Sequence, residues 1–134
     1  MKLLHSPSKI RPLTLCVAMA LMGGTSLSSH AAGTPYSGAA FAVPGTIEAE
    51  NFDRGGEGAG YHDLSSGNAG GQFRTSEGVD ISASADAAGG AYVVNNFQTG
   101  EWMAYTINVP AAGTYDLAIR ASNNYTGPGA FHIE

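Results

Sequence analysis

The sequence predicts an all-β sandwich, and three observations carry that prediction. Gly and Ala are dense while only 13% of residues are charged, turn signals recur roughly every eight to twelve residues, and the apolar stretches past residue 32 alternate with period two rather than 3.6. No stretch of that region carries a helix pattern.

The first eleven residues hold Lys2, Lys9 and Arg11, and an apolar run from Leu13 to Met22 follows, then small residues to Ala31 and Ala32. This is the layout of a secretory signal peptide, cleaved within Ser29-His30-Ala31-Ala32. The run is shorter than the about 20 residues a membrane span needs, so no membrane anchor is expected. Cys16 is the only cysteine and has Leu15 before it, where lipidation would want a small residue. Residues 1–32 are read as signal peptide and the product as secreted, extracellular or periplasmic.

Residues 33–134 then hold no lysine or cysteine, and set Arg54, Arg74 and Arg120 against eleven acids, a net charge of −8. Disulfides cannot staple this domain. Nucleic acid is excluded as a partner, since phosphate binding needs clustered Lys and Arg. Acidic polysaccharide is disfavoured overall, although a local arginine can still reach a carboxylate or sulfate.

Residues 33–43 read as a short linker before Pro44-Gly45-Thr46 and a first strand over Thr46 to Phe52. The glycine-rich stretch Arg54 to Gly71 reads as loop, with short pairing at most around Tyr61 to Asp63. Weak strand signals at Gln72 to Arg74 and Val79 to Ile81 precede a firmer one at Ala91 to Phe97. The strongest strand runs from Glu101 to Val109, with Met103, Tyr105, Ile107 and Val109 on one face and Trp102, Ala104, Thr106 and Asn108 on the other. Pro110-Ala111-Ala112-Gly113 then turns it into Thr114 to Ala121, an antiparallel hairpin. After a polar loop, Phe131 and Ile133 share one face of a last run. Six or seven short strands fall short of the about eight of a jelly roll, so residues 44–134 read as a truncated domain.

Ile47-Glu48-Ala49-Glu50-Asn51-Phe52, Gly70-Gly71-Gln72-Phe73-Arg74, Gly78-Val79-Asp80-Ile81, Thr99-Gly100-Glu101-Trp102-Met103-Ala104-Tyr105, Gly113-Thr114-Tyr115-Asp116-Leu117 and Arg120-Ala121-Ser122 occur in that order. As an ordered set they resemble the family 6 carbohydrate-binding modules, with the related families 35 and 36 next. The resemblance covers Pro44 to Glu134. It implies a β-sandwich jelly roll of the galactose-binding-like lectin type, incomplete here, from a secreted glycoside hydrolase, holding polysaccharide of plant or algal cell walls without cleaving it, and a monomer when complete. The competing reading is a secreted adhesion or scaffold module without sugar affinity.

On a strand, Glu48 and Glu50 share a face, so their carboxylates either converge on one hard cation or stand as two solvated acids. The resemblance implies the first, a structural Ca²⁺, with carbonyls near Arg74 contributing. It also implies two sugar sites. One lies in the end loops, where Asn96 occupies the position of a stacking aromatic, Asn95 is placed to bond a hydroxyl, and Phe97, Tyr92 or Phe73 is left to supply a face. The other lies on the sheet and uses Trp102, with Tyr61, His62 or Asp63 bonding hydroxyls. Trp102 sits opposite the apolar face of its strand, which requires either a ligand or a covering loop.

Catalysis is not expected. Glycoside cleavage needs two carboxyls across a cleft, and none of the eleven acids lies in a catalytic motif; the glycine runs lack the strand-to-helix setting of phosphate loops.

Overall fold

The computed structural model describes residues 33–86, 88–122, 130 and 133–134; the signal-peptide reading of 1–32 and the Phe131–His132 part of the last run lie outside the described residues. The fold class is all-β. Strands β1 (Phe41–Ala42), β2 (Tyr61–His62), β3 (Ile81–Ala83), β4 (Tyr92–Val94), β5 (Trp102–Met103) and β6 (Ile107–Asn108) are joined by loops, and one 3₁₀ turn, η1 (Ala49–Asn51), interrupts them.

Two antiparallel ladders supply one core. In β2–β5 the registered pairs are Tyr61 with Met103 and His62 with Trp102; in β3–β4 they are Ile81 with Val94, Ser82 with Val93 and Ala83 with Tyr92. Because side chains alternate across a ladder, Tyr61 and Met103 go inward together. There they meet Ile81, Val94 and Val79, with Phe52 and Ala49 from the η1 segment. Phe52 and Ile81 are fully buried, and the Phe52 and Tyr61 rings meet edge to face at 5.3 Å. Two ladders facing one core is the logic of a β-sandwich.

Four expectations are corrected. Thr46 to Phe52 is not a strand: Asn51 N–H donates to Glu48 O at 3.0 Å, closing a 3₁₀ turn. The apolar anchors Ala49 and Phe52 are three apart, which one tight turn satisfies and a strand does not. Gln72 to Arg74 is also not a strand, since Phe73 and Arg74 take left-handed φ of 47° and 30°. Asn68 Nδ2 fixes that bend by donating to Gln72 O and Phe73 O at 2.9 and 3.1 Å.

Residues 33–43, read as a short linker, are hydrogen-bonded to the rest of the chain. Thr34 and Arg54 exchange two backbone hydrogen bonds of 2.8 Å, and β1 pairs in parallel with β6. That pairing bears on the third and fourth corrections. Glu101–Val109 is not one strand but is divided into β5 and β6, with Ile107 and Val109 exposed, and it does not continue as a hairpin into Thr114–Ala121. β6 bonds the incoming N-terminal segment through Phe41 N–H to Thr106 O (2.9 Å) and Val43 N–H to Asn108 O (3.0 Å), whereas residues 109–120 form no strand and Leu117 is 55% exposed. Ile133 and Glu134 lie outside any strand.

Candidate functional site

The β2–β5 ladder has an inner and an outer face, and the outer face gathers the residues with binding chemistry. His62 and Trp102 stand opposite each other, both half-buried, with ring centroids 6.5 Å apart and planes tilted 38°. His62 Nδ1 donates to Glu57 Oε1. Glu57 Oε2 accepts Asp63 N–H at 3.0 Å, so one carboxylate orients the imidazole and anchors the residue after it. The hydrogen bond from His62 holds the Glu57 carboxyl below its ordinary range, and the Asp63 N–H adds to it.

Behind this pair, Glu101 fastens two loops. Its side chain is buried; Oε1 accepts Leu64 N–H at 3.0 Å and Oε2 accepts Gln98 N–H at 2.7 Å. Gly100 makes the approach possible, with φ of 98° in a turn closed by Glu101 N–H to Gln98 O, a conformation that glycine adopts without a Cβ clash. Leu64 (58% exposed) and Phe97 (40% exposed) therefore stand on loops pinned by the residue before Trp102.

Tyr61, expected beside Trp102, is corrected: period two turns it to the inner face, where it is buried and its hydroxyl accepts Gly78 N–H at 2.8 Å. Asn95 and Asn96 form a separate cluster beyond β4. Asn95 Nδ2 donates to Ser82 Oγ at 2.9 Å while its Oδ1 is buried with no partner. Its amide thus faces β3, not an open loop site. Asn96, at a φ of 52° that asparagine tolerates, is exposed and donates from Nδ2 to Asp80 Oδ2 at 3.1 Å. Phe73 and Tyr92 stack on each other at 5.0 Å and pack against the core, so of the three suggested stacking faces Phe97 is the exposed one.

The predicted metal residues Glu48 and Glu50 differ in setting: Glu48 caps the start of η1 and Glu50 lies within it. Glu48 is exposed, and its carboxylate lies so close over Gly90 that a Cβ there would come within 2.9 Å of Oε2. Glu50 is 5% exposed, and its Oε2 is buried without a hydrogen-bond partner. The other buried acids are engaged: Asp53 accepts Thr106 N–H (3.0 Å) and Oγ1–H (2.6 Å), Asp80 accepts Ala69 N–H (2.5 Å) and the Asn96 amide, and Glu101 holds its two loops. Beside Glu50, Tyr105 donates to Ala49 O at 2.7 Å, and burial, with the Glu50 charge second, pushes its phenol pKa up.

Arg74 does more than offer a carbonyl, which accepts Glu77 N–H at 3.0 Å. Its guanidinium lies 3.5 Å from the Phe52 ring centroid, donates to the Phe52 and Asp53 carbonyls, and pairs with Glu77. Burial lowers its pKa and Glu77 opposes that. No group of three His, Cys, Asp or Glu side chains suited to a metal occurs among the described residues.

Residues 69–134 match the family model described as carbohydrate binding module (family 6). The match takes in Trp102, Asn95, Asn96, Arg74 and the Glu101 clamp, and begins after Glu48, Glu50, Tyr61 and His62. No curated protein matches the chain. Sequence reasoning missed the roles of Glu57 and Glu101. The Gly-Glu-Trp triplet was the available signal for Glu101; nothing local marked Glu57.

Proposed function

We propose that this chain binds polysaccharide without cleaving it, as a secreted monomeric module associated with a glycoside hydrolase and directed at plant or algal cell-wall glycan. The observation that carries the reading is the outward Trp102–His62 pair on the β2–β5 ladder. An indole face packs on the C–H face of a sugar while an oriented imidazole and a carboxylate bond its hydroxyls. Glu57 fixes the imidazole, and Glu101 holds the Leu64 and Phe97 loops at the edge of the same ladder, so little is left to order on binding. The match of residues 69–134 to a carbohydrate-binding family supports the ligand class.

We also propose a structural Ca²⁺ held by Glu50 and Glu48, with backbone carbonyls completing an all-oxygen shell. Its support is the buried Glu50 Oε2, the one buried carboxylate oxygen among the described residues left without a partner. The ion would supply the charge that a buried carboxylate otherwise lacks.

Trp102→Ala tests the sugar platform. The substitution is expected to weaken retention in polysaccharide affinity gels by about 1–3 kcal/mol while costing little in denaturant melts. A stability loss of about 3–5 kcal/mol would mark Trp102 as core. Unchanged retention on every polysaccharide bound by the parent would end its assignment as a sugar contact.

A further inference from the structure

The segment 33–38 crosses the chain at Arg54 and makes an open depression lined by Thr34, Pro35, Tyr36, Ser37, Gly38 and Arg54. Arg54 is held there at three points. Its backbone bridges Thr34 through two 2.8 Å hydrogen bonds, its Nε donates to Tyr36 O at 2.8 Å, and its guanidinium carbon lies 5.1 Å from the Tyr36 ring centroid. The ring is in turn braced by Phe73 at 5.9 Å and by the Arg74 guanidinium at 5.4 Å. An exposed arginine is ordinarily mobile; this one has already lost that freedom.

The charges around it are unbalanced. Of the three arginines among the described residues, Arg74 is paired with Glu77 at 2.7 Å and Arg120 with Asp86 at 2.5 Å. Arg54 has no carboxylate partner among the described residues, in a segment with eleven acids. Arg54 and Arg74 both lie against the Tyr36 ring, at 5.1 and 5.4 Å from its centroid. Of the two only Arg54 lines the depression, where its charge is not met by a carboxylate among the described residues. With Nε committed to Tyr36 O, the two Nη groups remain, a pair of parallel donors spaced for the two oxygens of one carboxylate.

We propose that this depression is a second ligand site that takes the carboxylate of a uronate unit, end-on to the Nη pair of Arg54. The net charge narrows the ligand further. A surface of −8 repels a dense polyanion, so the fitting partner is a largely neutral glycan with isolated uronate substituents. The ligand class rests on the carbohydrate-binding reading; the site itself is independent of the Trp102 face.

The test is a titration of the ¹⁵N-labelled full chain with sodium glucuronate, glucose, sodium acetate and sodium sulfate, following the Arg54 Nε–H signal. Glucuronate is expected to shift it saturably, glucose not at all, and acetate and sulfate more weakly than glucuronate. Arg54→Lys, which keeps the charge but loses the fork, is expected to weaken glucuronate binding by about tenfold, read on the Tyr36 backbone amide, and Trp102→Ala to leave it unchanged. Absence of a saturable glucuronate shift, equal shifts from acetate or sulfate, or undiminished binding by Arg54→Lys would each overturn the site. Because the readout is on Arg54, loss of polysaccharide retention in Trp102→Ala with the glucuronate shift intact, or the reverse, separates failure of one site from failure of the other.

Discussion

Glu101 shows how one residue can tie two loops to the start of a strand. Its two oxygens accept backbone N–H groups from Leu64 and Gln98, 37 and 3 positions away, so the loops at residues 63–66 and 96–99 are tied to the start of β5. Charge-assisted bonds of this kind contribute more than neutral ones, and a buried N–H left without an acceptor costs about 1–3 kcal/mol. Glu101→Gln is therefore expected to destabilise the chain by about 1–3 kcal/mol in urea melts, since the amide accepts at one atom and presents N–H to the other donor. No change in midpoint would mean that water takes over one of the two bonds. The Gly-Glu-Trp triplet was legible in sequence, but reading it for Trp102 alone passed over its middle residue, because a carboxylate that binds distant backbone leaves no local periodicity.

At the scale of elements, sequence patterning held only at the start of the predicted Glu101–Val109 strand, which the structure divides into β5 and β6. The alternation from Trp102 to Tyr105 put Trp102 on one face and Met103 on the other, and the registered pairs Tyr61–Met103 and His62–Trp102 follow that parity. The same parity counts against Tyr61 as a sugar ligand, since adjacent strand residues cannot both face outward. η1 was misread because the short stretch from Ile47 to Phe52 fits a strand or one 3₁₀ turn equally well until the core claims Ala49 and Phe52 together. The outer face of β2 has a pH dependence of definite sign. The Glu57 carboxyl pKa is lowered in the fold, chiefly by the hydrogen bond from His62. The pair's contribution is thus present above the ordinary glutamate pKa of about 4.3 and is lost as pH falls through the lower folded value. Both side chains are more than a third exposed, so the effect is small and weakened by salt. The melting-temperature gap between parent and Glu57→Gln is expected to narrow as pH falls below about 4.3; a gap that widens would reverse the assignment.

Over the whole molecule, the all-β class was legible because it depends on composition and short-range pattern. The core was not: Ile107 and Val109, read on the apolar face of their strand, and Leu117 are exposed, and Tyr61 is buried. Nor was the strand pairing. β6 pairs with β1, 66 positions earlier at Phe41 and Ile107, and no turn signal encodes a parallel partner at that distance, whereas Pro110 to Gly113 did suggest a local hairpin. The proposed calcium belongs at this scale because η1 packs on β4 and Glu48 lies against Gly90, just before β4. An ion on Glu50 and Glu48 would join the two. A ligand that binds the folded chain alone stabilises it by RT ln(1 + [L]/Kd), about 2.7 kcal/mol at a hundredfold excess over Kd. The parent is therefore expected to melt at lower temperature in chelator than in calcium. Glu50→Gln should behave in the opposite sense to a simple loss of packing. In calcium it should melt below the parent, while in chelator it should match or exceed the parent, because it replaces a buried carboxylate whose Oε2 has no partner with a neutral group of the same shape. Two melting curves that cross in this way would tie the ion to Glu50. Identical melting of the parent with and without chelator would remove the metal, and a Glu50→Gln deficit that is the same in both conditions would reduce Glu50 to a packing residue.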